Sequence, residues 1–113
     1  MNIEQAARGF AACGSEARLA VLRTLIRAGD AGLSVGQIQE RCGLPASTLA
    51  HHLRCLAAGG LVDQERCGRT VVSRAAYRHI EALADYLLSE CCADAKPSPV
   101  AKAARDALRS EQS

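Results

Sequence analysis

Residues 44–61 carry apolar and polar positions at the spacing of an α-helix. Pro45 suits the first position of such a helix, because its missing N–H would have no partner there. The inward positions are Leu49, His52, Leu53 and Leu56, and the opposite side carries Ser47, Thr48, His51 and Arg54. Short hydrogen-bonding side chains with a cation at their end are typical of a helix that enters the major groove of DNA. An ordinary amphipathic surface helix has the same period, so the flanking segments must decide.

Two helices are predicted at the start of the chain. Residues 3–13 place apolar side chains on one side and end near Gly14, which gives a short helix that must pack on another element. Ser15 is a suitable N-cap for a second helix, whose apolar face runs to Gly29. We expect this second helix to be the centre of the core.

A third helix leads into the first stretch. After a polar loop over residues 30–33, Ser34 and Gln37 match a capping box that opens a helix through Arg41. Residues 42–44 then leave room for only a tight turn. Two helices joined in this way form a helix-turn-helix, in which the second helix reads the groove and the first supports it.

The period changes after the reading helix. Residues 61–74 contain two β-prone runs around a polar segment with Gly68, which predicts a hairpin whose tip carries Gln64, Arg66 and Arg69. In a winged helix such a tip reaches the minor groove or the phosphate backbone, where a cation lowers the free energy of binding. A hairpin that only faces solvent is the alternative.

A last long helix is predicted from Ala76, with a wide apolar stripe that ends at Cys91. One small domain can hardly cover both this stripe and that of the first helix, so we expect the two to pair in a symmetric dimer that reads a two-fold operator. The winged helix-turn-helix domain is thus predicted for residues 1–93. Residues 94–113 are expected to form a polar, mobile tail, in which residues 100–108 can form a short helix.

The composition bears on the size of the fold, the cellular location and the state of the cysteines. The 113 residues suffice for one domain, and only 3% aromatic residues favour packed helices over a large sheet. Neither a signal peptide nor an apolar run long enough to span a membrane is recognised, so a cytoplasmic location without a membrane partner is expected. There, the six cysteines are expected to stay reduced and to bind metal or sense redox state.

With these elements in order, residues 3–93 resemble the ArsR/SmtB family of bacterial metalloregulatory repressors. The resemblance rests on SEARLAVLRTL in the second helix, ASTLAHHLRCLAAGGLV in the reading helix and QERCGRTVV in the wing. It implies base-contact positions for Ser47, Thr48 and His51, and wing positions for Gln64, Arg66 and Arg69. His52 matches a position that more often packs inside.

Two ligand sites of that family are not expected here. The arsenic and cadmium site on the third helix uses a Cys-x-Cys pair, whereas this chain has residues 34–36 as Ser-Val-Gly. The zinc site on the last helix requires repeated carboxylate and imidazole ligands, whereas His79 is the one histidine of that predicted helix. Sensing of zinc or nickel by that site is therefore not predicted.

Cys91 and Cys92 look like the vicinal cysteines that some arsenic-responsive members carry at the end of the last helix. Trivalent arsenic is soft and suits thiolate ligands, but adjacent side chains of a regular helix point about 100° apart. Both thiols reach one ion only where the helix end bends or frays. The alternative role is two small apolar residues in a dimer interface.

No cysteine follows this pair, so a third ligand must come from elsewhere. Cys13, at the end of the first helix, is preferred, with Cys67 at the wing and Cys55 on the reading helix as alternatives. Cys42 is also a candidate, and solvent or a small thiol can complete a two-thiolate site.

The sequence therefore predicts a homodimeric repressor that binds double-stranded operator DNA and is released when arsenite or a similar thiophilic metalloid binds its thiolates. A redox-, sulfide- or persulfide-responsive repressor of the same fold is the alternative, in which Cys13 cross-links to Cys91 or Cys92. An enzyme is not expected, because there is no CxxC motif, phosphate-cradling loop or cysteine-plus-base constellation. A metal-buffering protein leaves the reading helix and wing unexplained.

Overall fold

The computed structural model of this protein describes residues 1–95 and 99–112. This part of the chain is mainly helical, with one small antiparallel sheet, and it has the element order of a winged helix-turn-helix. The elements are α1 (Ile3–Ala12), α2 (Glu16–Ala28), β1 (Leu33–Ser34), α3 (Val35–Cys42), α4 (Ala46–Ala58), β2 (Val62–Cys67), β3 (Thr70–Ala75), α5 (Tyr77–Ser89) and α6 (Pro99–Gln112).

The core forms around α2, as the sequence predicted. Val21 and Leu25 of α2 are completely buried, and they share one apolar cluster with Ile38 of α3 and with Leu49 and Leu56 of α4. Burial of a side chain of this size stabilises the fold by about 1.5–3 kcal/mol. The cluster therefore fixes α3 and α4 against one support.

Side-chain caps define where the first three helices begin. The Ser15 hydroxyl accepts the Arg18 N–H at 3.1 Å, and Ser34 with Gln37 forms the predicted capping box. Asn2 and Gln5 form a second capping box at α1, which the sequence reading did not identify. Each such cap contributes about 1 kcal/mol to helix stability.

The sheet has the strand order β1-β3-β2. The predicted hairpin is confirmed, with Val62 opposite Ala75 and Cys67 opposite Thr70. β1 is a difference from the prediction, because Leu33 was placed in a loop but pairs with Ser73 of β3. Two residues are too few to show a strand period, and the partner strand lies about forty residues away.

The C-terminal region differs from the prediction in two respects. The last long helix was expected to continue to Cys91, but α5 ends at Ser89 with Glu90 as its C-cap. A second helix, α6, is longer than the short helix that was predicted within residues 100–108. Residues 96–98 and 113 of the predicted tail lie outside the described residues, and the domain boundary at residue 93 stays a prediction. No helix in the described ranges is both long and apolar enough to cross a membrane.

α1 lies across α4 and α5 through two close contacts. Gly9 of α1 lies against the Leu83 side chain of α5, and Gly59 at the end of α4 lies against Ala12 and the Arg8 carbonyl of α1. A side chain at Gly59 would overlap the Ala12 methyl group. The reading helix is thereby held directly on α1.

Replacing Gly59 with alanine is expected to lower the free energy of unfolding by about 1–3 kcal/mol, because the added methyl group forces α1 and α4 apart. Gly36→Ala is the matched control, since a Cβ at this position of α3 meets no atom within 4 Å. That substitution should stabilise the helix by about 0.5–1 kcal/mol. Urea unfolding at one fixed protein concentration measures both values, and equal effects of the two variants would contradict the close contact.

Candidate nucleic-acid interface and thiol site

The turn between α3 and α4 is fixed by glycine and by a side-chain hydrogen bond. Gly43 has φ 68°, a left-handed conformation that favours glycine, and its N–H donates to the Gln39 carbonyl at 2.8 Å. The Gln39 side chain donates to the Leu44 carbonyl at 3.3 Å. Pro45 is the N-cap rather than the first helical residue, because its ψ of 149° is extended. The turn thus sets the angle at which α4 leaves α3.

The two faces of α4 separate as the sequence predicted. Leu49, Leu53 and Leu56 are buried in the core. The opposite face is fully accessible to a partner and consists of Ser47, Thr48, His51 and Arg54, all of them exposed. This face carries hydroxyl, imidazole and guanidinium groups, which can donate to or accept from base edges and phosphates.

His52 lies between these two faces. It is half-buried, and its Nδ1 atom is buried without a hydrogen-bond partner among the described residues. The ring centroids of His51 and His52 are 6.0 Å apart. His52 is therefore partly packed, in agreement with its expected inward position. His51, in contrast, is exposed.

The hairpin extends two cations into solvent. Arg66 lies near the end of β2 and Arg69 in the turn, and the side chain of neither forms an ion pair or hydrogen bond within the described chain. The placement of Gln64 at the tip was wrong: it lies within β2, and its amide donates to the buried Ser73 hydroxyl at 3.1 Å. The strand continues further than its polar residues suggested, since Gln64 pairs directly opposite Ser73.

Arg74 is held at the base of the hairpin, in contrast to the two arginines near the tip. Its guanidinium donates to Glu65 at 2.8 Å and to the Asp30 carbonyl at 3.1 Å. The hydrogen bond to Glu65 raises the pKa of Arg74 above its ordinary value. Arg74 therefore supports the hairpin, while Arg66 and Arg69 remain available to a polyanion.

Cys91 and Cys92 lie in the turn that follows α5, with their sulfur atoms 3.8 Å apart. Cys92 has φ 62°, and no other non-glycine residue of the described chain has a positive φ. The chain has left the helical path here, which is the condition under which both thiols were expected to reach one ion. Cys91 is half-buried and Cys92 is exposed.

The remaining cysteines lie on different elements and contact different residues. Cys13 is the C-cap of α1 and contacts the Phe10 carbonyl at 3.5 Å, while Cys42 contacts the Thr24 hydroxyl at 3.5 Å. Cys67 is exposed at the end of β2. Within residues 1–95 and 99–112 of one chain, no three histidine, cysteine or acidic side chains form a metal-binding group. The described residues of one chain thus bring two thiols together without a third side chain of these kinds beside them.

Cys55 lies beside a base, so the prediction that the chain has no cysteine-plus-base constellation was wrong. Its sulfur lies 3.7 Å from Nε2 of His51, one helical turn earlier on α4. The signal was available in the sequence, because residues four positions apart on a helix are neighbours.

An apolar surface remains uncovered along α1 and α5. Ile3 is 72% and Leu87 is 63% exposed, and Phe10 and Leu88 are also accessible. Leu83 is the part of the predicted stripe that is buried, because it packs against Gly9. These residues lie on the two helices that contact each other through Gly9 and Leu83, as expected for an interface between two copies.

Comparison with known proteins agrees with this geometry. Residues 14–65 match a family model described as a helix-turn-helix domain. An uncharacterized HTH-type transcriptional regulator, YceK of Bacillus subtilis, is 36% identical over 61 residues. That match covers 54% of this chain and spans 60% of the length of YceK.

Solved structures cover more of the chain. An ArsR-like transcriptional regulator from Rhodococcus sp. RHA1 has a TM-score of 0.68 and 27% identity, covering 96% of this chain and 92% of that one. The homodimeric winged helix-turn-helix domain of Mb0332 from Mycobacterium bovis, a possible ArsR-family regulator, has a TM-score of 0.64 and 29% identity, covering 81% of each chain. The fold and these similarities identify the chain as a winged helix-turn-helix protein that is similar to ArsR-family regulators.

Proposed function

We propose that the protein is a transcriptional regulator that binds operator DNA as a homodimer and leaves it when trivalent arsenic binds its thiolates. Arsenite or a related thiophilic metalloid is the inducer, and Cys91, Cys92 and Cys13 are its ligands. The observation that carries the inducer part is the pair of sulfur atoms 3.8 Å apart directly after α5. The exposed face of α4 carries the DNA part.

DNA binding follows from the accessible groups on α4 and the hairpin. Ser47, Thr48 and His51 face the base edges, and Arg54 contacts the backbone at the end of the reading face. Arg66 and Arg69 reach the flanking phosphates. A homodimer formed through α1 and α5 places two reading helices in successive major grooves about 34 Å apart. The homodimeric state of the Mycobacterium bovis domain supports this assembly.

The distance between the two sulfurs suits one thiophilic ion. Two thiolates that each lie about 2.3 Å from a tetrahedral ion are about 3.8 Å apart. A trivalent metalloid requires only a small further approach, because its bond angles are narrower. Each thiol proton leaves with one hydroxyl group of arsenite as water, so binding involves no change of oxidation state. The left-handed backbone at Cys92 supports this role, because strained conformations concentrate at functional sites.

The third thiolate is assigned to Cys13 of the partner subunit. Cys13 ends α1, which lies along α5 within each chain and borders the apolar surface proposed for dimerisation. A ligand supplied across the dimer is consistent with the described residues of one chain, which hold no complete group of three. Metalloid binding then joins the end of α5 to α1 of the other copy and changes the distance between the two reading helices.

The experiment that tests the proposal is a titration of arsenite against the protein bound to a fluorescent operator, selected from a random DNA pool by the protein itself. Allosteric coupling of about 1–3 kcal/mol predicts that operator affinity falls about 5- to 150-fold. Unchanged anisotropy over the titration would overturn the inducer assignment. Failure to select any DNA would overturn the DNA part.

A redox-, sulfide- or persulfide-responsive regulator is the second candidate, favoured by the same closeness of Cys91 and Cys92. A disulfide requires the sulfurs to approach to about 2.05 Å and requires an oxidant. Mass spectrometry of protein treated with peroxide or with a polysulfide, each of which supplies the oxidising equivalents for a new S–S bond, separates the two candidates. A stable covalent change with loss of DNA binding supports the redox candidate, whereas release by arsenite without covalent oxidation supports the first.

Replacing Arg66 and Arg69 together with alanine is expected to weaken binding to all DNA sequences and to reduce its salt dependence. Each phosphate contact that is lost lowers the slope of log K against log salt by about 0.9. Arg78→Ala, at an exposed position of α5, is the control for loss of a cation outside the hairpin and should keep the slope. Anisotropy at several salt concentrations gives the slopes, and an unchanged slope in the double variant would show that the hairpin does not contact DNA.

A further inference from the structure

The His51–Cys55 pair on α4 is not used by the proposed function. The Cys55 sulfur lies 3.7 Å from His51 Nε2, within the range of a hydrogen bond to sulfur. Cys55 is half-buried, whereas His51 is exposed on the reading face. An imidazole in this position can accept the thiol proton when its own proton is on Nδ1. The pair therefore joins a potential nucleophile to a residue proposed to contact DNA.

Cys55 opens into a cleft of about 290 Å³ between α1 and α4. Arg18 is fixed at this cleft, because its guanidinium donates to the Ala12 carbonyl at 2.6 Å and to the Ala11 carbonyl at 3.2 Å. The lining contains two arginines and no acidic residue, and consists of Arg8, Ala11, Ala12, Arg18, Cys55, Ala58 and Gly59. A reagent that carries carboxylates is thus attracted to the thiol.

We propose that Cys55 is a site of reversible S-thiolation by an anionic low-molecular-weight disulfide, and that the adduct releases the protein from DNA. The Cys55 thiol passes its proton to His51 Nε2, and the sulfur attacks one sulfur of the disulfide. The S–S bond of the reagent breaks as the bond to Cys55 forms. The other half of the reagent leaves as a thiolate and takes the proton from His51. A second thiol reverses the reaction by the same exchange.

The close packing of α1 on α4 explains why such an adduct affects the reading helix. Gly59 already lies against Ala12 and the Arg8 carbonyl at one end of the cleft, so a substituent on Cys55 cannot be accommodated there without moving α1. A substituent in the open cleft replaces the thiol hydrogen that lies beside His51 Nε2, and His51 is on the face proposed to enter the groove. This consequence rests on the proposed DNA binding, whereas the reactivity of Cys55 does not.

Cys67 and Cys92 provide internal controls for accessibility. Both are exposed, while Cys55 is only half-exposed, and neither has a histidine within hydrogen-bond distance in the described part of the chain. If solvent access alone determined the rate, both would react faster than Cys55. A faster reaction at Cys55 therefore reports the effect of His51 and the arginines.

The first experiment measures the rate of modification at each cysteine without DNA. The reduced protein reacts with oxidised glutathione, which is anionic, or with cystamine, which is cationic, and peptide mass spectrometry follows each site after an acid quench. We expect Cys55 to react with oxidised glutathione severalfold faster than Cys67 does. With cystamine, the rate at Cys55 should not exceed the rate at Cys67. His51→Gln should slow Cys55 and leave Cys67 unchanged. Equal or slower reaction of Cys55, or no effect of His51→Gln, overturns the proposal.

The second experiment measures DNA affinity before and after treatment. Loss of one base contact predicts about a 5- to 150-fold weaker affinity of glutathione-treated protein for its operator, with recovery after dithiothreitol. Cys55→Ser should bind DNA as the wild type does and should keep that affinity during treatment. Tight binding by protein modified at Cys55 overturns the regulatory part. If untreated protein binds no DNA, the proposed function has failed, and the rate measurements still test the thiol site.

Discussion

Replacing Cys91 and Cys92 together with serine is expected to abolish the response to arsenite and to leave operator affinity unchanged in its absence. The wild type should lose affinity about 5- to 150-fold on saturation with arsenite, as typical allosteric coupling predicts. The double variant should lose none, because a hydroxyl is a poor ligand for a soft metalloid. Fluorescence anisotropy with increasing arsenite measures both responses. Neither cysteine belongs to α4 or to the hairpin, which carry the proposed DNA contacts, so basal binding should not change.

Cys42→Ser is the matched control for this variant. Cys42 is half-buried like Cys91, but its thiol contacts Thr24 between α2 and α3. It should therefore keep the full arsenite response. Cys13→Ser is expected to weaken the response by removing the third thiolate. An undiminished response of the Cys91 and Cys92 double variant would contradict the inducer site, whatever the behaviour of the other variants.

The local elements of the fold followed from the sequence because their causes are local. The apolar period placed α2 in the core, and Ser15 and Ser34 marked helix starts that the structure confirms. The exposed face of α4 was also predicted, since Leu49 and Leu53 fix its rotation about the helix axis. In each case, residues a few positions apart contain the whole signal.

The remaining features depend on partners distant in sequence. Leu33 is a strand residue because it pairs with Ser73 of β3. Gln64 lies within β2 rather than at the tip, and its amide donates to the Ser73 hydroxyl. The two sulfur atoms of Cys91 and Cys92 lie close together because the helix ends before them. The apolar period could not predict this end, since the apolar stripe continues past the last residue of α5. In the proposed metalloid site the third ligand comes from a second copy, which neither residue spacing nor one folded chain contains.

The double replacement of Ser47 and Thr48 by alanine is expected to lower affinity for the selected operator by about 1–3 kcal/mol, or about 5- to 150-fold, because base-edge contacts are lost. Affinity for unrelated DNA should change little, since phosphate contacts dominate nonspecific binding. Alanine has a higher helix propensity than serine or threonine, so α4 itself should not be weakened. Anisotropy with operator and scrambled duplexes at one salt concentration gives the specificity ratio.

Arg54→Ala distinguishes base reading from general attraction to DNA. Its cation lies at the end of the exposed face of α4, so its loss should weaken operator and scrambled DNA alike and should reduce the salt dependence. A loss of specificity in the Ser47 and Thr48 variant, beside a uniform loss in the arginine variant, assigns the two kinds of contact to adjacent parts of one helix. If both variants weakened the two duplexes equally, α4 would bind only the backbone, and the sequence would be read elsewhere.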